Sequence, residues 1–515
     1  MAAKERGPLR ALLLLTLGGV LRSLVGGLQP AHPPLLPGQP FLMLWGIPDT
    51  LCEGRPDPSA FGMVVKGGGA TQKFAIFYPD TLGLYPYYDL QDQPVAGGLP
   101  QHSSLDMHLL KIEADVTAAL PPPDYAGLAA IHWEEWAPQW SRNRGKREIY
   151  QQQSRQLLRQ FFPDWTPAEL DKWAQVDFEA AAQAVLLETL QEARNLRPQA
   201  LWGFSPYPDC YNSGPGQRLA NYSGCCPAAE MALNDEMLWL WKKSAALYPS
   251  LSLDKLVGGT QGARLYSSNQ IREALRVAAL AGTAYDLPVF PLVKSVYSST
   301  NTFLSEADLI STVGESAAMG AAGIIIWEKF FSTKTQRGCW ELADFVRGVL
   351  GPYAVNVTVA AQLCAEGLCR GRGRCVRKNP EEPAYLHLPA GSFRLSPDPN
   401  GTQDSLLALG ELQHGDLEAW RRQFHCQWYE ALEGTAADQV SVGSGVSRKS
   451  EKKPLLTESP MLTGSPTLIL SPTLTSSPTL TGSPTLNHGA PCLLCGRPLL
   501  LLLGVLACLP ACGLS

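Results

Sequence analysis

The strongest constraint on this chain is a series of short, wholly apolar runs separated by stretches of helical periodicity. The runs are Phe41–Trp45, Phe74–Tyr78, Ala129–Ile131 leading into His132, Ala200–Phe204, Pro288–Val293 and Gly323–Trp327. Apolar runs of this length without alternation predict strands buried on both faces. The prolines weaken the Pro288–Val293 strand. Helices are predicted over Leu105–Leu120, Tyr150–Phe161, Ala228–Leu247, Asn269–Ala281 and Glu341–Leu350, with another capped by Ser305 and reaching Met319. The clearest helix starts at Thr166, where Pro167 fits the first helical position and Glu169 completes a Thr-x-x-Glu capping box. Its residues Leu170, Trp173, Val176, Ala180, Ala184 and Leu187 predict one apolar face. Strands alternating with helices through residues 41–350 predict an α/β fold with a parallel sheet, of a length that fits a barrel. A doubly wound open sheet is the alternative, although no Gly-x-Gly-x-x-Gly turn follows an early strand.

The run from Ala129 ends in His132-Trp133-Glu134-Glu135-Trp136. Extended alternation would place His132, Glu134 and Trp136 on one face and Ile131, Trp133 and Glu135 on the other. A carboxylate there is either the solvated end of a strand or a catalytic acid presented between aromatic walls, as in sugar-cleaving sites. In a barrel such chemistry sits at the strand C-terminal ends, where Glu134 and Trp327 both lie. Tyr85, Tyr87 and Tyr88 fall in a Gly- and Pro-rich loop, and suit stacking on sugar rings or packing onto the body.

The ends of the chain have a different texture. Residues 1–28 carry Lys4, Arg6 and Arg10, an apolar run and then glycines, the architecture of a secretory signal. Export makes the 13 cysteines candidates for disulfides and makes the sequons at Asn221, Asn356 and Asn400 candidate glycosylation sites. Around residues 360–430, Cys364, Cys369, Cys375 and Cys426 lie among Gly, Arg and polar residues, which suggests a small disulfide-held module. Zinc binding is the competing reading, but the usual ligand spacing is missing, and neither a metal nor a cofactor is implied. Residues 440–490 contain a recurring Ser-Pro dipeptide in a Thr- and Leu-rich tract, read as an extended stalk. Residues 491–515 form an apolar tail after that polar spacer, the pattern of a glycolipid-anchor signal with Asn487 or Gly489 as attachment point. A single-pass anchor is the alternative. A formal net charge of -5 without a long basic run points away from a nucleic-acid partner.

Taken together, these residues resemble the hyaluronidase family of glycoside hydrolases over about residues 40–430. The resemblance rests on Leu82-Gly83-Leu84-Tyr85-Pro86, Gly97-Gly98-Leu99-Pro100-Gln101, Trp133-Glu134-Glu135-Trp136 and Tyr207-Pro208-Asp209-Cys210-Tyr211-Asn212. It continues through Leu238-Trp239-Leu240-Trp241, Gly314-Glu315-Ser316-Ala317-Ala318 and Gly320–Trp327. It implies a distorted (β/α) TIM-like barrel over residues 40–352 and an epidermal-growth-factor-like (EGF-like) module over 360–430. It also implies bridges Cys52–Cys339, Cys210–Cys226, Cys364–Cys375 and Cys369–Cys426, which leaves Cys225 odd. The module's usual third bridge has no counterpart, since Trp428 stands where a cysteine is expected.

Members of the family cleave the β-1,4 bond after N-acetylglucosamine in hyaluronan, and some act on chondroitin. By resemblance Glu134 is the proton donor, and Tyr85, Trp136 and Trp327 bind substrate. The substrate's acetamido oxygen attacks the anomeric carbon, an exception to the two-carboxylate rule. An Asp normally precedes the acid by two residues, and here His132 replaces it. Neutral imidazole supplies no negative charge, and imidazolium would repel the cation that develops. Ser205 and Ser252 replace two tyrosines, Gln270 replaces an Arg, and Glu328 follows Trp327 where Gly is common. These departures predict weak endo-β-N-acetylhexosaminidase activity on hyaluronan or chondroitin at the cell surface. The alternative is a catalytically inactive glycosaminoglycan-binding or adhesion protein.

Overall fold

The computed structural model describes residues 29–429 apart from 50–51, 55–56, 67–71, 213–221, 283, 329–331, 400 and 402–403. The expected signal segment, stalk and anchor tail, and the sequons at Asn221 and Asn400, lie outside the described residues. The apolar runs form parallel strands: β1 (Leu42–Trp45), β2 (Val64–Val65), β3 (Phe74–Phe77), β4 (Leu128–His132), β5 (Leu201–Ser205), β6 (Ser250–Leu251), β7 (Leu292–Lys294) and β8 (Gly323–Trp327). They build a five-stranded sheet in the order β2-β1-β8-β7-β6 and a three-stranded sheet in the order β3-β4-β5. Backbone bonds from Ala245 and Ala246 N–H to the Trp202 carbonyl tie β5 to the segment that leads into β6. A side chain at Gly203 would collide with the Ala246 carbonyl, which accounts for the glycine in Trp202-Gly203-Phe204.

Both faces of β1, β4, β5 and β8 are buried, as their unbroken apolar character requires. Leu42, Leu44, Phe74, Leu128, Ala130, Leu201, Leu292, Ile325 and Trp327 share one cluster. The alternate residues go elsewhere: Ala129, Ile131, Trp202 and Phe204 pack in a second cluster, and Met43, Trp45, Ile324 and Ile326 in a third. Polar residues that continue the first set therefore project from the strand ends.

The longest helices are α1 (Leu105–Ala119), α2 (Glu148–Phe161), α3 (Pro167–Leu196), α4 (Gln261–Ala281) and the 34-residue α5 (Gln336–Cys369), which has a π turn at Val346–Leu350. The Thr166–Glu169 capping box is present in both directions. The face expected on α3 is displaced, however. Its buried stripe runs through Leu170, Ala174, Phe178, Ala182, Val185, Leu186 and Leu190, while Trp173 and Val176 are exposed. Helical spacing alone admits neighbouring stripes, and the small Ala174 and Ala182 allow the closer approach. Three other boundaries also moved. The helix expected over Ala228–Leu247 is two short helices, Ala228–Glu236 and Leu238–Trp241; α4 begins at Gln261 rather than Asn269; and the strand in Pro288–Val293 is confined to β7, beyond both prolines.

The gap expected between residues 352 and 360 falls inside α5, which runs unbroken by loop into the cysteine-rich segment. Cys364 and Cys369 on its last turns bridge to Cys375 and Cys426. Those partners sit opposite each other in an antiparallel pair, β9 (Gly373–Arg377) with β12 (Phe424–Trp428). A second antiparallel pair joins β10 (Phe393–Pro397) to β11 (Leu406–Gly410). The bridges Cys52–Cys339 and Cys210–Cys226 are also formed. Cys225, expected to be odd, is itself disulfide-bonded. By length and composition α5 could cross a membrane, but 56% of its most apolar window is buried within the folded unit.

One ion pair holds the cysteine-rich segment to the α/β body. Arg377 on β9 binds both carboxylate oxygens of Glu315 and donates to the carbonyls of Pro380 and Ala384. Both charged side chains are almost fully buried. Removing one charge from such a pair strands the other in low dielectric. Glu315→Gln is therefore expected to destabilise the fold by about 3–5 kcal/mol. The double change Glu315→Met with Arg377→Met should recover much of that loss, as read by denaturant unfolding of the secreted chain.

A second polar junction carries a pH dependence. Asp286 N–H donates to the Pro30 carbonyl, and Gln427 Nε2 donates to both the Gln29 carbonyl and the Asp286 carboxyl. Burial lifts the Asp286 carboxyl from 3.8 to about 6, against the pull of Arg374 and the Gln427 bond. The folded chain thus binds this proton more tightly than the unfolded chain does. The stabilising effect is full below the ordinary carboxyl range and is lost as pH rises through about 6. Asp286→Asn keeps an acceptor without the charge. It should raise stability at neutral pH by on the order of 1 kcal/mol, given solvent screening at this partly exposed group, and leave it nearly unchanged at pH values where Asp286 is protonated. Melting temperatures across pH check this.

Candidate active site

The first-cluster face of the strands ends in a polar and aromatic layer. Continuing the two-residue period, Leu128 and Ala130 lead to His132, Leu201 and Gly203 to Ser205, Ile325 to Trp327, and Phe74 and Ile76 to Tyr78. The parallel register of β4 and β5 pairs His132 with Ser205. His132 Nδ1 and Ser205 Oγ are 3.2 Å apart, in a hydrogen bond whose direction depends on the tautomer. The imidazole is 3% exposed, and its ring centre lies 4.6 Å from that of Trp327 and 5.9 Å from that of Tyr78. Trp327 is held in turn, its indole N–H donating to the Tyr78 hydroxyl at 3.0 Å. Tyr78 was not anticipated as a site residue, although the strand period from Phe74 points to it.

Beyond His132 the strand ends, so the alternation expected through Trp136 stops there. Glu134 Oε1 lies 3.8 Å from His132 Nε2, and the Glu134 side chain is 40% exposed, within reach of a solvent-borne ligand. The turn is fixed from its backbone: Glu134 N–H donates to Glu135 Oε2, and Arg147 donates to the Glu134 carbonyl at 2.6 Å. The strand end therefore presents an accessible carboxyl beside a buried imidazole.

Tyr85 and Trp136, expected to form sugar-facing walls, are instead buried, at 1% and 2% exposed. Tyr85 stacks on Trp133 at 4.3 Å and on Trp136 at 5.2 Å, and the Trp136 indole donates to the Pro86 carbonyl. All three belong to the second cluster, with Ala129 and Ile131, on the face opposite His132. They form a rigid support behind the turn that carries Glu134. The Tyr85 loop is pinned by His108, whose Nδ1 accepts from Leu84 N–H while Nε2 meets Thr189 Oγ1 at 2.7 Å. Burial lowers His108 to about 4, so the ring is neutral at physiological pH. Gly83 has φ +65°, and a Cβ there would lie 2.6 Å from the His108 ring, so only glycine suits this loop.

The substituted positions have clear partners. Gln270 Oε1 accepts from Cys210 N–H at 2.6 Å, and its Nε2 donates to Asp209. Asp209 also accepts from Tyr211 N–H, and burial raises its carboxyl. Ser252 N–H donates to the Tyr266 hydroxyl. Glu328 is buried at the end of β8 and accepts from Ser295 Oγ at 3.0 Å. Beside Tyr78, a cavity of about 440 Å³ opens between Trp45, Asp49, Lys66 and Ile76. Asn356, the described sequon, lies on α5, and its Oδ1 accepts from Leu388 N–H.

A family model described as hyaluronidase matches residues 30–441. The chain belongs to the hyaluronidase family. It is 41% identical to hyaluronidase-2 of Homo sapiens over 413 residues, which is 79% of this chain and 87% of that protein. It is 37% identical to hyaluronidase-2 of Bitis arietans, covering 80% and 94% of the two chains. Among solved structures, bee venom hyaluronidase in complex with a hyaluronic acid tetramer is similar, with TM-score 0.56 and 28% identity. That likeness covers 62% of this chain and 99% of the venom enzyme. Family membership makes the strand-end layer around His132 and Glu134 the place to look for glycosidase chemistry.

Proposed function

We propose that this chain is a cell-surface hyaluronidase-family protein that binds hyaluronan or chondroitin along the strand-end layer and hydrolyses it slowly, with Glu134 as proton donor. The observation that carries this reading is His132 Nε2 lying 3.8 Å from Glu134 Oε1, where the family resemblance calls for a carboxylate. Glu134 is accessible and backed by a rigid aromatic stack, so it can still protonate a leaving glycosidic oxygen. The substrate's acetamido oxygen would attack the anomeric carbon, and positive charge would spread into the oxazolinium ring. A neutral imidazole held by Ser205 gives that charge no counter-ion. A protonated imidazole would favour ionised Glu134, the wrong form for an acid. Trp327, 7% exposed and steadied by Tyr78, is the aromatic ring that belongs to the strand-end layer, while Tyr85 and Trp136 act from behind.

The finer architecture follows from the same resemblance. The two parallel sheets are read as arcs of a distorted (β/α) barrel, and the segment after α5 as a reduced EGF-like module whose first cysteines are supplied by the helix. The bound hyaluronic acid tetramer belongs to the venom enzyme, and supports glycosaminoglycan as the ligand class here. The same geometry favours a second reading, an adhesion protein without turnover, because His132 stands beside Glu134 where the family resemblance calls for a carboxylate.

Depolymerisation of hyaluronan and chondroitin by the purified ectodomain, from acid to neutral pH, separates these readings. Cleavage is expected at a rate ~10²–10³ below that of a family member with the Asp, and Glu134→Gln should abolish it. His132→Asp alone should leave the rate short of normal, because Ser205 and Ser252 remain. Cleavage that survives Glu134→Gln, or full recovery from His132→Asp, would defeat the assignment. Absence of cleavage together with retention on immobilised polymer would establish the adhesion reading. At the membrane, a phospholipase specific for phosphatidylinositol is expected to release the chain from intact cells; a chain that stays attached has a spanning anchor instead.

A further inference from the structure

The loop after Glu134 carries Arg142, Arg144, Lys146 and Arg147, a local concentration of cations in a chain of net charge -5. Together with Tyr211 and Glu230 they line a cavity of about 260 Å³. Arg142 is a fixed part of its floor. Its guanidinium binds Glu230, Gln139 and Asn234 and lies 4.9 Å from the centre of the Tyr211 ring. Glu230, the one carboxylate in the lining, is thereby neutralised, and Arg144 stands 3.7 Å from its other oxygen. Arg147 spans from the cavity to the catalytic turn through its bond to the Glu134 carbonyl. Lys146 has no hydrogen-bond or ion-pair partner among the described residues, and Arg144 is 69% exposed at its side chain. Arg144 Nε donates to the Ser141 carbonyl at 2.6 Å, an exposed contact within the loop, and Lys146 is exposed as well.

The lining carries an excess of three positive charges over carboxylates, contributed by four separate side chains, Arg142, Arg144, Lys146 and Arg147, against Glu230. A uronate carboxylate is planar and is satisfied by one forked guanidinium. A sulfate ester presents three terminal oxygens and is better met by several separate cations around a recess. We infer that this cavity is a subsite for a sulfate ester on a glycosaminoglycan chain whose sugar backbone lies across Glu134. Sulfated chondroitin is then the preferred ligand over hyaluronan, which has only carboxylates. The inference rests on the proposed glycosaminoglycan reading and adds the charged group that the site selects.

The test compares binding of the intact ectodomain to chondroitin sulfate, chemically desulfated chondroitin and hyaluronan oligosaccharides of equal length at low and physiological salt. Sulfated chains are expected to bind about tenfold more tightly than desulfated ones, with the steeper salt dependence. The double variant Arg144→Gln with Lys146→Gln should bring sulfated chains down to the desulfated affinity. It should change desulfated binding less than about twofold and leave the melting temperature in place, since both side chains are solvent-facing. Equal affinity for sulfated and desulfated chains would overturn the subsite while leaving the glycosaminoglycan reading intact. A sulfate preference that persists in the double variant would place the selectivity elsewhere and also overturn it. Failure to bind any of the three polymers would remove both readings together.

Discussion

The parallel pairing of β4 with β5 is the constraint on which the site depends. It sets His132 opposite Ser205, and because side chains alternate along a strand, the same register aims both at the strand-end layer. A slip of one residue would send Ile131 and Phe204 into that layer and His132 into the outer packing. Register is held on both sides, since Ala130 and Ile131 are each buried in a different cluster. The position of the turn that carries Glu134 is therefore a consequence of core packing rather than of the loop itself.

The supports around the turn do different jobs. The stack of Tyr85, Trp133 and Trp136 gives Glu134 a rigid backing, and His108 keeps the Tyr85 loop on α1 by remaining neutral. Trp327 and Tyr78 complete the opposite side by a single indole-to-phenol bond. Within this framework His132 cannot supply the fixed negative charge that the family resemblance calls for at its position. The imidazole is buried, bonded to Ser205 and in ring contact with Trp327. That combination is why binding and turnover separate in the proposed function.

The cysteine-rich segment is tied to the same body by covalent and ionic means. Two bridges start from the last turns of α5, and the buried Arg377–Glu315 pair links β9 to the helix before β8. A helix runs from the α/β body into the disulfides, through the boundary expected between residues 352 and 360. Composition reports how much core a segment can build, and it does not report whether the chain enters that segment as loop or helix.

Local chemistry was legible in the chain itself. Strands buried on both faces must be apolar throughout, so β1, β3, β4, β5 and β8 were visible as runs; the Thr166 cap was visible because a capping box is a contact within four residues. Glu134 and His132 were visible through their motif. What only the tertiary structure decided were the long-range matters: which stripe of α3 is buried, that Tyr85 and Trp136 face inward, that Ser205 holds His132, and that the basic loop returns to the Glu134 carbonyl. Each of these depends on a partner tens of residues away or on how closely two elements approach. Periodicity encodes the repeat of a helix or strand, but the phase of that repeat is chosen by the surfaces it meets.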